Sequence, residues 1–167
     1  MQVSNHLLTY PFRYVSQIPN VDNYICKVKY SLPFQGKWTT VNGGINKVSS
    51  HSWGIPNQRY AYDFIILDEN GRSFSGDIIK RGQCIARCGN SGNSSEPHLH
   101  FQLQDGVNFY TSAGLPIEFN HITTYPTQNY SVFDPRPAIN TSELVAEKYI
   151  MRGQSVSNMS ILPIEST

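Results

Sequence analysis

Apolar and polar positions alternate along this chain in short runs, the pattern of β-strands with one buried and one wet face. Tyr24–Leu32 is rich in strand formers with partial alternation and predicts a first strand. Tyr60–Leu67 is the strongest strand of the sequence, and it stops at Asp68-Glu-Asn-Gly71, a turn signal. Ile78–Cys88 predicts another strand, interrupted at Lys80-Arg-Gly82. His98–Leu103 alternates with period two, and Asp105-Gly106 predicts a hairpin turn from it into Val107–Tyr110. Thr40–Asn57 and Cys88–Pro97 are polar and glycine-punctuated, and predict long loops; Pro116–Pro137, with four prolines, predicts irregular chain. One helix is predicted over about Thr141–Arg152, with Asn140 as cap, Glu143 at the capping-box position and Gly153 to close it. The elements together predict an all-β fold, mostly antiparallel, with one short C-terminal helix.

Composition narrows the class. The 167 residues have room for one ordinary domain and a small appendage. The 39% of apolar residues, with 12 glycines added, approach the globular norm of about 45–50%, so a packed core is expected. Thirteen basic against 12 acidic residues give a net charge of +1, with no run of one sign, which argues against nucleic acid or a polybasic membrane contact. The longest apolar run, Phe64–Leu67, is far short of the roughly 20 residues a spanning helix needs. Met1–Pro11 has neither a charged nor an apolar region of the export-signal type, so no signal peptide is predicted. Cys26, Cys84 and Cys88 are odd in number. On one extended strand Cys84 and Cys88 would lie roughly 13 Å apart, too far for a disulfide, so both are expected reduced.

Candidate chemistry gathers around three positions. His98 and His100, two apart on a strand, point to one face, with Leu99 and Phe101 on the other. Asp63 lies within the Tyr60–Leu67 strand, flanked by two aromatics and followed by three aliphatics, where a carboxylate is costly unless paired, hydrogen-bonded or bound to a metal. Arg59 or Lys80 could pair with it instead. His51, in the polar loop before that strand, could fold back over its start. Two histidines and one carboxylate are a common set for a catalytic zinc, with His98 placed as a base. The same donor types also serve non-haem iron, a weaker alternative that leaves the loop at 89–97 unexplained. His6 and His121 lack such a context.

Lys80-Arg-Gly-Gln-Cys-Ile-Ala-Arg-Cys-Gly-Asn-Ser-Gly-Asn-Ser-Ser-Glu-Pro-His-Leu-His-Phe101 resembles the signature of the lysostaphin/LytM-type zinc endopeptidases, and His51–Phe64 is similar to the metal-binding half of one branch of that family. The resemblance covers about residues 40–122. It implies a barrel-sandwich-like metallopeptidase domain over 40–122, with 1–39 as a β-rich segment packed on the core and 123–167 as an irregular extension carrying the helix. It also implies Zn2+ held by His51, Asp63 and His100, and His98 as the catalytic histidine that assists a metal-bound water. The implied substrate is a peptide bond of bacterial cell-wall peptidoglycan, and the implied location is extracellular or at the cell wall. One departure stands out. Relatives carry several dozen residues between the aspartate strand and the Lys-x-Gly-Gln turn, including a second catalytic histidine. No histidine lies between His51 and His98 here, so that role is vacant, and a degenerate peptidoglycan-binding or regulatory domain is the alternative.

Overall fold

The computed structural model describes residues 18–73, 78–81, 83–90, 94–139 and 148–159. Seven strands are described: β1 (Trp38–Asn42), β2 (Tyr62–Ile65), β3 (Ile78–Arg81), β4 (Gln83–Arg87), β5 (Leu99–Phe101), β6 (Ile122–Pro126) and β7 (Gln154–Asn158). Five of them form a sheet in the order β5-β2-β1-β7-β6, every pair antiparallel, while β3 and β4 form a separate antiparallel hairpin. Among the described residues the single α-helix is a short one, α1 (Tyr130–Phe133). The protein is therefore all-β and mostly antiparallel, as its residue pattern predicts.

The period-two alternation of β2 and β5 decides what each face of the sheet carries. Tyr62 and Phe64 of β2 enter an aromatic core with Phe34, Trp38 and Phe119, and Leu99 and Phe101 of β5 pack against it. Phe34 stacks on Trp38 at 4.6 Å between ring centroids and meets Phe64 edge-on at 5.0 Å, the offset and T-shaped arrangements that ring quadrupoles favour. The residues between them, Asp63 on β2 and His100 on β5, turn to the other face.

Several predicted elements differ from those observed. Tyr24–Leu32 is not a strand: Ile25 is 84% exposed and Val28 is exposed as well, so the segment has no apolar face to bury. It makes one parallel bridge, Tyr30 to Phe119, and then sends Leu32 and Phe34 into the core. The Asn158 side chain stands in for a neighbouring strand there, accepting from Leu32 N and donating to the carbonyls of Leu32 and Phe34. The first residues of the predicted loop at 40–57 belong to β1. Val107–Tyr110 is not the second arm of a hairpin, since Val107 and Tyr110 are exposed and the chain returns only at the Gln104–Gly114 bridge. Part of the region predicted irregular forms β6 and α1. Of the predicted helix, 140–147 lie outside the described residues, and Lys148–Arg152 are not helical. The Asp68–Gly71 turn is as predicted, and of the loop before β5 the described residues 88–90 and 94–97 belong to no strand or helix.

Candidate metal centre

Asp63 and His100 are direct cross-strand partners of β2 and β5, and the pairing brings His100 Nδ1 to 2.7 Å from Asp63 Oδ1. The two residues are 37 apart in sequence, and the strand register alone makes them neighbours. His98, one residue before β5, approaches the same oxygen with Nε2 at 3.9 Å. His51 approaches from the loop side, with Nε2 at 3.7 Å from the other oxygen, Oδ2. One carboxylate, its side chain 9% exposed, thus faces three imidazoles.

The loop that carries His51 is positioned by a residue absent from the sequence reading. Between Thr40 and Asn42 the register against β2 slips by one residue, so Asn42 stands opposite Asp63. Such a bulge redirects a side chain that regular alternation would send to the opposite face. Asn42 is fully buried; its Oδ1 accepts from the His51 backbone N–H at 2.8 Å and its Nδ2 donates to the Ala61 carbonyl at 3.3 Å. Gly43 follows with φ +145°, and a Cβ there would overlap the Tyr62 ring, so the loop can leave β1 at this point only through glycine.

Hydrogen bonds set the histidine tautomers. His98 Nδ1 lies 2.8 Å from the Glu96 carbonyl and 3.0 Å from Ser94 Oγ. A carbonyl only accepts, so Nδ1 carries the proton and the lone pair is on Nε2, the nitrogen that faces Asp63. His100 has acceptors on both sides, Asp63 Oδ1 and Gln102 Oε1, the latter at 2.8 Å. Its hydrogen bond to Asp63 holds the imidazole pKa above 6.5, against an opposing effect of burial, and Gln102 adds to the rise.

The donor set fits a metal such as zinc. Ligand atoms of Asp63, His98 and His100 all lie within 4.8 Å of one another. Tetrahedral zinc with bonds of about 2.0–2.1 Å spaces its ligand atoms roughly 3.4 Å apart, a small adjustment from the contacts seen here. Arg59, one alternative partner for Asp63, instead bonds the Trp53 carbonyl at 3.1 Å and lies over the Trp53 ring. Among the residues whose side chains are described no Lys or Arg lies within 4.0 Å of Asp63; the side chain of Lys80, the other alternative partner, lies outside them. The mutually close set includes His98 where the family resemblance implies His51; His51 comes to 3.7 Å from Asp63 but stands outside that set and, at 55%, is the most exposed of the three histidines.

These groups open on a cleft of about 920 Å³. The chain around α1 also lines it, contributing Asp134 and Arg136. That segment leans on the turn after β2, where Asn129 Nδ2 donates to the Glu69 carbonyl at 3.3 Å. Asp134 accepts from Tyr130 Oη at 3.0 Å and from Arg136 through Nε and Nη2, the latter at 2.6 Å. Burial pushes its carboxyl up, but these hydrogen bonds more than offset that and bring it down to about 2. The α1 segment lies in the stretch predicted irregular, and its Asp-Pro-Arg-Pro run carries no spacing signal that would link it to Asp63 or the histidines. His121, outside the cleft, precedes β6 with φ 52°; His6 lies outside the described residues.

Residues 57–112, about a third of the chain, match the family model of Peptidase family M23, the lysostaphin/LytM-type family. Asp63, His98 and His100 fall inside the matched stretch and His51 just before it. No curated protein and no solved structure matches the chain. Among the described residues no helix is long and apolar enough to cross a membrane.

Proposed function

From the premise that residues 57–112 are a Peptidase family M23 segment, we propose that the chain is a zinc-dependent endopeptidase that hydrolyses peptide bonds of bacterial cell-wall peptidoglycan, acting outside the cell. The observation that carries the reading is the convergence of Asp63, His98 and His100 within 4.8 Å, inside the matched stretch and beside a cleft. In this reading His51, Asp63 and His100 hold the metal. Zinc, when bound, supplies Lewis acidity that brings the pKa of water toward about 7. His98 takes the proton of the attacking water on Nε2 and returns it to the leaving amine. Glu96, through its carbonyl on Nδ1, keeps the ring in the tautomer and orientation that this transfer needs. The buried aromatic layer behind β2 and β5 fixes the two strands that carry Asp63 and His100.

The test is metal content and turnover on the same preparations. The parent is expected to hold near-stoichiometric zinc and to cleave purified peptidoglycan. His100→Ala is expected to lose the zinc, and His98→Ala to cleave roughly 10²–10⁴-fold more slowly. A folded parent with no zinc, or a His98→Ala protein as fast as its parent, would overturn the reading. A second reading is favoured by one observation, the absence of any histidine between His51 and His98. The resemblance implies that the second catalytic histidine helps stabilise the oxyanion; a missing oxyanion donor costs roughly 10²–10³ in rate elsewhere, and a domain so impaired would serve as a peptidoglycan-binding or regulatory module. Zinc and peptidoglycan binding without turnover in the parent would identify that case.

A further inference from the structure

The Asp134 cluster has an imbalance of charge. One buried carboxylate faces two guanidinium groups: Arg136, with Nη2 at 2.6 Å, and Arg152, with Nη1 at 3.8 Å. The third group on it, Tyr130, is neutral, because burial drives its phenol pKa up to about 12. The cluster therefore carries one positive charge in surplus. Arg152 is 2% exposed and its Nη2 reaches the Val48 carbonyl at 3.3 Å, so the surplus cannot reach a ligand through it. Arg136 is the outlet: its side chain is 48% exposed and lines the same cleft as the metal-centre residues. It commits Nε and Nη2 to Asp134, and Nη1 has no hydrogen-bond partner among the described residues. Held by two prongs on a buried acid, the guanidinium is pre-oriented, and little rotamer entropy remains to be lost on binding an anion. Arg72, exposed at the Asp68–Gly71 turn, lines the cleft as well. Glu96 lines the cleft as well, and its carboxylate accepts a hydrogen bond from Ser73 Oγ.

We propose that Arg136, assisted by Arg72, forms a carboxylate subsite of the cleft, so that the peptides this chain recognises carry a free carboxylate near the bond at the metal centre. The inference rests on the peptidase reading for the site itself and adds the substrate class. The histidines and Arg136 line one cleft of about 920 Å³, so a peptide lying in it meets both. This favours a stem peptide, which carries carboxylates, over an uncharged glycine bridge.

The experiment compares two probes, the stem tetrapeptide L-alanyl-γ-D-glutamyl-L-lysyl-D-alanine and its twin with every carboxylate converted to carboxamide. Binding is measured by calorimetry on the zinc-loaded full chain in a His98→Ala background, so that turnover does not consume the probe. The carboxylate form is expected to bind at least about 10-fold tighter, with the advantage lost in Arg136→Gln and reduced severalfold in Arg72→Gln. Equal affinity for the twins, binding of neither, or an advantage that persists in a folded Arg136→Gln protein would overturn the proposal. If Arg136→Gln does not fold, Arg72→Gln decides, and an unchanged advantage there overturns it. The two proposals fail separately. A carboxylate preference with no hydrolysis by the parent removes the peptidase reading and leaves the subsite; hydrolysis of both twins with equal kcat/KM does the reverse.

Discussion

At the scale of single residues, the centre is a carboxylate that three imidazoles share and that its neighbours hold in place. His100 is the imidazole in hydrogen-bond contact with Asp63. With its pKa raised above 6.5 by the bond to Asp63, the ion pair stabilises the metal-free protein fully below that pH, and the stabilisation is lost as the pH climbs through the folded-state value. NMR titration of the metal-free protein is expected to show His100 titrating above 6.5, and Asp63→Asn is expected to bring it down. Gln102 acts one step out. Its Oε1 takes the Nε2–H of His100, and outer partners of this type are worth 10–100-fold in metal affinity, so Gln102→Leu is expected to weaken zinc binding by about that factor in a chelator competition. Asn42→Ala leaves the His51 N–H and the Ala61 carbonyl without their partner, at a cost of about 1–3 kcal/mol by denaturant unfolding. Asp63, His98 and His100 were legible in the sequence because a carboxylate in an apolar strand and a His-x-His alternation are local signals. Asn42 and Gln102 were not, since an amide announces nothing until a bulge or a register brings it to its partner.

At the scale of elements, β2 and β5 follow their residue pattern because both bury one face on the aromatic core and leave the other to the site. Tyr24–Leu32 has the same strand-forming residues and no such surface to lie on, which is why propensity alone misled there. β6 and α1 escaped notice for the converse reason: prolines mark the segment as broken, but pairing with β7 makes a strand of Ile122–Pro126 all the same. The turn from β1 into the His51 loop is the most constrained junction. Gly43→Ala is expected to destabilise the protein by about 1–3 kcal/mol and to loosen zinc binding together with it, because the strain falls on Tyr62 next to Asp63. Thermal unfolding with and without added zinc separates the two effects.

At the scale of the whole molecule, the α1 segment is tied to the sheet by charge as well as by packing. Asp134 joins Arg136 on its own segment to Arg152 just before β7. Its carboxyl is depressed from 3.8 to about 2, so its contribution, roughly 2 kcal/mol, is present in full above pH 3.8 and lost as the pH falls toward 2. Acid unfolding of Asp134→Asn is expected to lack that component. The fold class was legible from alternation, but the order of the strands was not, because nothing local tells β1 that its second neighbour is β7. That order has a consequence in time. β1 lies between β2 and β7, and Thr39 meets Ser155 across 116 residues, whereas Asp63 meets His100 across 37. At about 5–20 residues per second, a ribosome needs roughly 6–23 s between making the first of those strands and the last. The nascent chain can bring Asp63 and His100 together while the middle strand of its sheet still has one edge bare, awaiting a partner not yet translated.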